Sequence, residues 1–275
     1  MSKKGSTYFG RTVMAALAIV YFFPFLVSLL LSIKSKQETT QSVLGLPKTF
    51  HWENFADAIE KAKIWRSMGN SIIVTVCSVL IVIAAASMAG YAIGRQYHKK
   101  GYRFYESILT AAMMVPFQAL MIPLYRMLKT IGLLNTLPGV IILIAGINMP
   151  FAIMTYIGFI RTIPVELEEA AMLEGCGKWQ IFTKVIFPLL QPTTVTIAVL
   201  DALWAWNDFN ASLIVLQKDA VKTIPMQQYV FFGEHSANYN MAFASAVISM
   251  VPVVVFFIIM QSRIQEGMTA GAVKG

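Results

Sequence analysis

The stretch RTIPVELEEAAMLEGCGKWQIFTK, Arg161 to Lys184, and the VIFPLLQP that follows it, Val185 to Pro192, form a polar island between two long apolar runs. Its residues are ordered as a helix would order them. Pro164 suits a helix start, where a missing N–H costs nothing. Glu166, Glu168 and Glu169 fall in the first turns, where carboxylates interact favourably with the helix dipole. Leu167, Ala170, Ala171 and Leu173 supply a small apolar face, and Gly175 and Gly177 end the helix. A second short helix, about 178–187, carries Trp179, Phe182 and Ile186 on one stripe before Pro188. Two short helices joined at Gly175 predict a compact knob on a membrane surface, with alanines that let another protein approach closely.

The runs on either side set the fold class. Apolar residues make up 57% of the chain and charged residues 13%, where a soluble domain carries about 25% charged. Uncharged stretches near membrane length occur at 12–33, 67–94, 107–125, 130–160, 189–207 and 241–262. The fourth begins as a loop at 132–138, and Asp201 interrupts the fifth. The expectation is an all-α, polytopic membrane protein with six transmembrane helices. Residues 1–11 form an N-terminal segment, 12–262 the spans with the polar loop 161–188, and 263–275 a C-terminal tail. The first stretch has bulky Phe22, Phe23 and Phe25 and no small-residue cleavage site, so it reads as a retained span. Within the external segment 34–66, Phe55, Ile59 and Ile64 have helical spacing and predict a helix lying on the membrane face.

Six spans place both termini on one side. The termini, 95–103 and 161–184 hold 12 of the 22 Lys and Arg residues, and Arg95, Lys99, Lys100 and Arg103 cluster in one short loop. Short loops rich in Lys and Arg stay inside, so the termini and the polar loop are expected in the cytoplasm. A net charge of +8 suits anionic lipid headgroups. No basic stripe with interleaved aromatics suggests nucleic acid.

The island resembles the EAA loop of ABC importer permeases, EAA-x3-G-x9-I-x-L-P. Glu169, Ala170, Ala171, Gly175 and Pro188 match at that spacing, while Val185 and Phe187 replace the Ile and Leu. The ending EGMTAGAVKG, Glu266 to Gly275, and WAWNDF, Trp204 to Phe209, resemble carbohydrate permeases of the maltose-transporter type. The resemblance implies a permease subunit coupling ATP hydrolysis elsewhere to sugar import, with an oligosaccharide as the solute class. It implies a second, homologous permease subunit, an ABC ATPase dimer that carries ATP and Mg, and an extracytoplasmic sugar-binding protein. On it, Glu169, Ala170, Ala171, Leu173, Gly175 and Pro188 are the ATPase-coupling residues, and Thr269, Ala270 and Gly271 are candidates for a tail that touches the ATPase.

Other chemistry lacks its residues. A P-loop needs G-x-x-x-x-G-K-S/T; Gly177-Lys178 is followed by Trp179 and has no upstream glycine at that spacing. His51, His98 and His235 are far apart in sequence, and Cys77 and Cys176 suggest neither a disulfide nor a zinc pair. The expectation is a transporter subunit, not an enzyme, with no cofactor or metal of its own.

Polar groups inside spans are the remaining candidates, because burying them in lipid is expensive. Asp201 is the one acidic residue within a span, with Asn70, Gln118, Asn148 and Asn207 as neutral companions in or near others. Asp201, Trp204, Trp206, Asn207 and Asp208 combine aromatic faces with polar groups, as a gate or sugar pathway requires. A packing role for Asp201 and an interfacial belt for the tryptophans stand beside that reading. Two rival functions stay open: an ABC permease for another solute, such as a glycerol phosphate ester, and a secondary transporter. The first would place basic residues in the spans; the second would carry ion-coupling carboxylates and internal repeats.

Overall fold

Helix follows helix along the whole described chain, which forms no strand among its regular elements. The computed structural model describes the backbone of residues 3–232 and 238–272 and the side chains of residues 10–232 and 238–262. The chain divides into two compact units, Met1–Arg66 with Gln227–Pro252, and Ser67–Met226 with Val253–Gly275.

The first unit opens with α1 (Lys3–Ser32), α2 (Lys36–Gln41) and α3 (Glu53–Lys61). Along α1, Met14, Ile19, Val20 and Tyr21 are 67–74% exposed, the surface that hydrocarbon would cover. Ser35 starts α2 through a capping box with Glu38. The unit's interior is polar. Asn54 donates to the carbonyls of Ser32 at 2.9 Å and Lys34 at 2.8 Å, and Asn240 donates to Asn54 at 2.8 Å. Buried Lys34 donates to the carbonyls of Ser42 and Val43. The buried stripe of α3 runs through Asn54 and Ala58 and continues at Ala62 and Ile64. Phe55 and Ile59, expected to lead that stripe, are only half-buried, because the hydrogen bonds of Asn54 turn its side of the helix inward.

The second unit takes most of α4 (Ile64–Arg95), then α5 (Lys100–Met113), α6 (Phe117–Thr130) and α7 (Leu137–Ile160). Here α7 is the hub: α5, α11 (Gln191–Trp206) and α12 (Asn210–Val215) all pack on it. Its start is set by Thr136, whose hydroxyl accepts from the amide of Gly139. Helix α4 meets α7 at Gly90 and Gly94. A Cβ on Gly90 would lie 2.6 Å from Cβ of Tyr156, and one on Gly94 would lie 3.1 Å from Ile160. The GYAIG sequence is thus a close-approach seam of the small-xxx-small kind. Between α4 and α7, Val82, Ala86, Ala152, Ile153, Tyr156 and Ile157 form the apolar core.

Among the described residues, four helices are long and apolar enough to cross a membrane: Gly10–Ser32, Ile64–Arg95, Leu137–Ile160 and Tyr239–Ser262. The last lies in α14 (Tyr239–Ala272), which follows the short α13 (Ile224–Gln228) in the chain and continues past the span. The spans expected at 107–125 and 189–207 fall on two bent helix pairs, so the count reaches six if each pair is one span. Helices α5 and α6 meet at 102°, and Lys178–Leu189 meets α11 at 73°. Proline is the cause in both. Pro116 can donate no hydrogen bond and disfavours helical backbone at Val115, so α6 restarts with Pro116 as its cap. Pro188 and Pro192 bracket the second break, where Leu190 ends one helix and begins the next. Alone, α11 has 16 residues, about 24 Å at 1.5 Å per residue, short of the roughly 30 Å of hydrocarbon.

Candidate functional site

The polar island folds as α8 (Glu166–Leu173), α9 (Lys178–Ile181), a π turn (Phe182–Ile186) and α10 (Phe187–Leu189). Pro164 precedes α8, and Glu166, Glu168 and Glu169 occupy its first turn. The turn out of α8 depends on Gly175, whose φ of +84° lies in the left-handed region. Its amide donates to the Met172 carbonyl, and that of Cys176 donates to Ala171, closing the helix end.

The regular second helix expected at 178–187 is replaced by the π turn. The Phe187 amide donates to the Phe182 carbonyl, five residues back. Pro188 cannot take part in a regular ladder, and one wider turn absorbs the mismatch. The widening also resets the buried face. Ile181, Phe182 and Ile186 turn inward, whereas Trp179, expected on that stripe, is exposed.

The knob has two chemically different sides. Glu169, Ala170 and Gly175 are exposed, and Leu173 is 91% exposed. Ala171 faces the interior with Ile163, Ile181 and Phe182. Glu168 is buried at 5% exposure, and both of its oxygens are engaged. Oε1 accepts from Arg95 Nε and Oε2 from the Tyr91 hydroxyl, each at 2.5 Å. Arg95 Nη1 also donates to the carbonyls of Ile160 at 3.0 Å and Ile163 at 2.9 Å, which closes the end of α7. The Arg95 and Glu168 side chains are 15% and 7% exposed. Removing one partner of such a pair leaves a buried charge, at a cost of about 3–5 kcal/mol. Beside it, Arg161 makes a two-pronged bridge to Glu106 and lies 5.1 Å from the Tyr97 ring centroid.

Of the candidate pathway residues, Asp201 is 1% exposed, and neither of its oxygens has a hydrogen-bond partner among the described residues. Trp204 stands edge-on to Phe151 at 5.1 Å between ring centroids. Trp206 is half-buried, and the exposed Asn207 donates to the Leu203 carbonyl. Asp208 accepts from the Ala211 and Ser212 amides and the Ser212 hydroxyl, so it caps α12. Burial pushes the Asp208 carboxyl up while these donors pull it down. Asp201 and the Trp204–Asp208 segment thus lie along the second half of α11 and the turn after it, far in sequence from the knob. The side chains of Thr269, Ala270 and Gly271, and His235, lie outside the described residues. A groove of about 560 Å³ between α6 and α12 carries Tyr125, Arg126, Lys129 and Gln217.

A model of the family described as "Binding-protein-dependent transport system inner membrane component" matches residues 81–270. The chain belongs to that family. Membership makes it a membrane-integral transport component rather than an enzyme, with ATP hydrolysis belonging to a partner chain. A family relative from Bacillus subtilis (strain 168), the "Melibiose/raffinose/stachyose import permease protein MelC", is 36% identical over 96% of both chains. The "Probable starch degradation products transport system permease protein AmyC" of Thermoanaerobacterium thermosulfurigenes is 34% identical, covering 94% of this chain and 93% of its own. The fold matches a chain of a bacterial ABC transporter involved in the import of the acidic polysaccharide alginate. That match has a TM-score of 0.79 and 23% identity, and covers 95% of this chain and 98% of the other.

The matched region of this family member holds α8 and its anchor together. Tyr91 and Arg95, which hold Glu168, were not among the candidate residues of the sequence. Their signal was present: they are four apart, hence on one helix face, and Arg95 is the charge that ends a long uncharged run.

Proposed function

We propose that this chain is the permease subunit of an ATP-driven importer of oligosaccharides. It forms half of the translocation path with a second, homologous permease. An ABC ATPase dimer binding ATP and Mg works below it, and an extracytoplasmic sugar-binding protein delivers solute from above. Both termini lie in the cytoplasm. The observation that carries the reading is the asymmetry of α8: Glu169, Ala170, Leu173 and Gly175 stand free, while Glu168 fixes the opposite side. A short helix bared on one side and fastened on the other is suited to enter a cleft in a partner and be pushed. The similarity to permeases for starch degradation products and for raffinose-type sugars supports the solute class.

In the same reading Ala170, Ala171 and Pro188 shape the coupling knob, and Thr269, Ala270 and Gly271 reach the ATPase. Asp201, Trp204, Trp206, Asn207 and Asp208 belong to the gate or sugar path.

The test is ATP-dependent uptake by proteoliposomes holding the full transporter, supplied with raffinose or maltodextrins. Uptake is expected from the native chain. Gly175→Asp should abolish it while the chain stays in the membrane, since a residue with a Cβ is strained at φ +84° and the charge blocks close approach. Normal uptake by that variant overturns the coupling role. Failure of the native complex to move any oligosaccharide overturns the solute class.

A further inference from the structure

We propose that the contact of Glu168 with Arg95 and Tyr91 is the mechanical link that carries movement of α8 into α4, with Glu168 as a positioning residue. The inference rests on the transporter reading above but concerns residues outside the matched EAA pattern.

Of the three first-turn acids of α8, Glu166 and Glu169 are exposed and Glu168 is buried. Its two oxygens are held by two residues of a single helix, Tyr91 and Arg95, one turn apart on α4. That two-point grip fixes direction as well as distance. The apolar contacts of Ala171, Ile181 and Phe182 resist separation of the knob from the core, but they are non-directional and allow it to slide. Charge-assisted hydrogen bonds are directional and short, so a push on α8 reaches α4 through Glu168.

Arg95 adds the third element. Its Nη1 holds the Ile160 and Ile163 carbonyls, so one guanidinium joins the ends of α4 and α7 to the knob. The helix it pulls is continuous over 32 residues and lies against α7 at Gly90 without an intervening side chain. The neighbouring Arg161–Glu106 bridge joins the end of α7 to the middle of α5 and does not reach α8. Among the described ion pairs, Glu168–Arg95 is the one made by α8.

The experiment uses the complete transporter in proteoliposomes. Glu168→Gln keeps the shape of the side chain and removes its charge. It should retain the ATPase on co-purification and hydrolyse ATP within about twofold of the native rate, while solute moved per ATP falls about tenfold, the scale of a lost charge-assisted bond. Tyr91→Phe should fall less. Arg95→Met with Glu168→Leu replaces the buried pair by apolar groups that a folded core tolerates, and it should uncouple as Glu168→Gln does. A structural role predicts otherwise: ATPase binding, hydrolysis and uptake fall in parallel, and that result overturns the proposal. An unchanged ratio of solute to ATP overturns it too.

A second readout does not depend on the solute. With Cys77 and Cys176 replaced by serine, spin labels on Glu166→Cys in α8 and Met88→Cys in α4, both exposed positions, report the distance between the two helices. One narrow distribution should persist with and without ATP in the parent, and a second population should appear with ATP when Glu168→Gln is added. Identical distributions in both overturn the link. If the native complex moves no oligosaccharide, the transport reading falls while this distance still decides the link.

Discussion

Asp201 sits at 1% exposure with both carboxylate oxygens unpartnered among the described residues. A buried polar group without a hydrogen bond costs about 1–3 kcal/mol in proteins, so folding of the isolated chain does not favour it. Asp201→Leu should therefore raise the melting temperature of the purified chain by about 2–4 °C per kcal/mol recovered. If the carboxylate serves transport, as proposed, uptake by the assembled complex should fall at the same time. Thermal melting in detergent checks the first half, and a lower melting temperature would show that the residue packs the bundle. Glu168 is the opposite case, a buried carboxylate with every oxygen engaged. Glu166, Glu168 and Glu169 were all visible in the sequence as first-turn acids, but which one turns inward depends on where α4 runs. Arg95 and Tyr91 decide that from more than 70 positions away, at sequence separations of 73 and 77.

At the scale of elements, short segments follow local chemistry. The capping box of α2 was written in Ser35 and Glu38, and the carboxylate does more than cap. Backbone amides of Lys48 and Ser35 hold Glu38 below the usual carboxylate range. A depressed folded-state value means the stabilisation is present above the unfolded value of about 4.3 and is lost as pH falls through the folded one. Segment 35–48 should stay protected from hydrogen exchange at neutral pH and lose protection selectively below about pH 4. Glu38→Gln should remove that pH dependence, and unchanged protection of the native chain in acid would refute it. Longer elements were legible as apolar runs but not in their straightness. The prolines at 116, 188 and 192 marked the breaks, yet a proline permits both a mild kink and a restart. Packing of α5 and α11 against α7 selected the restart. The π turn had no separate signal, because it records a mismatch between Pro188 and the buried face of Ile181, Phe182 and Ile186.

For the molecule as a whole, the proposed partners make a prediction at the C-terminus. Helix α14 runs beyond its span to Ala272, which brings the chain past the membrane on the side proposed to hold the ATPase. Deleting residues 269–275 should lower ATP hydrolysis coupled to uptake while membrane insertion is unchanged. Full hydrolysis in the truncated complex would remove the tail from the coupling machinery. The amino-acid sequence by itself determined the helical class, the membrane location and the knob at 161–188, because apolar length, charge placement and turn residues are local properties that survive any packing. Only the tertiary structure decided which charge was buried, where the spans broke and which faces stayed open. Those outcomes depend on what stands opposite: Gly90 lets α4 lie against Tyr156, and that approach brings Arg95 and Tyr91 to Glu168.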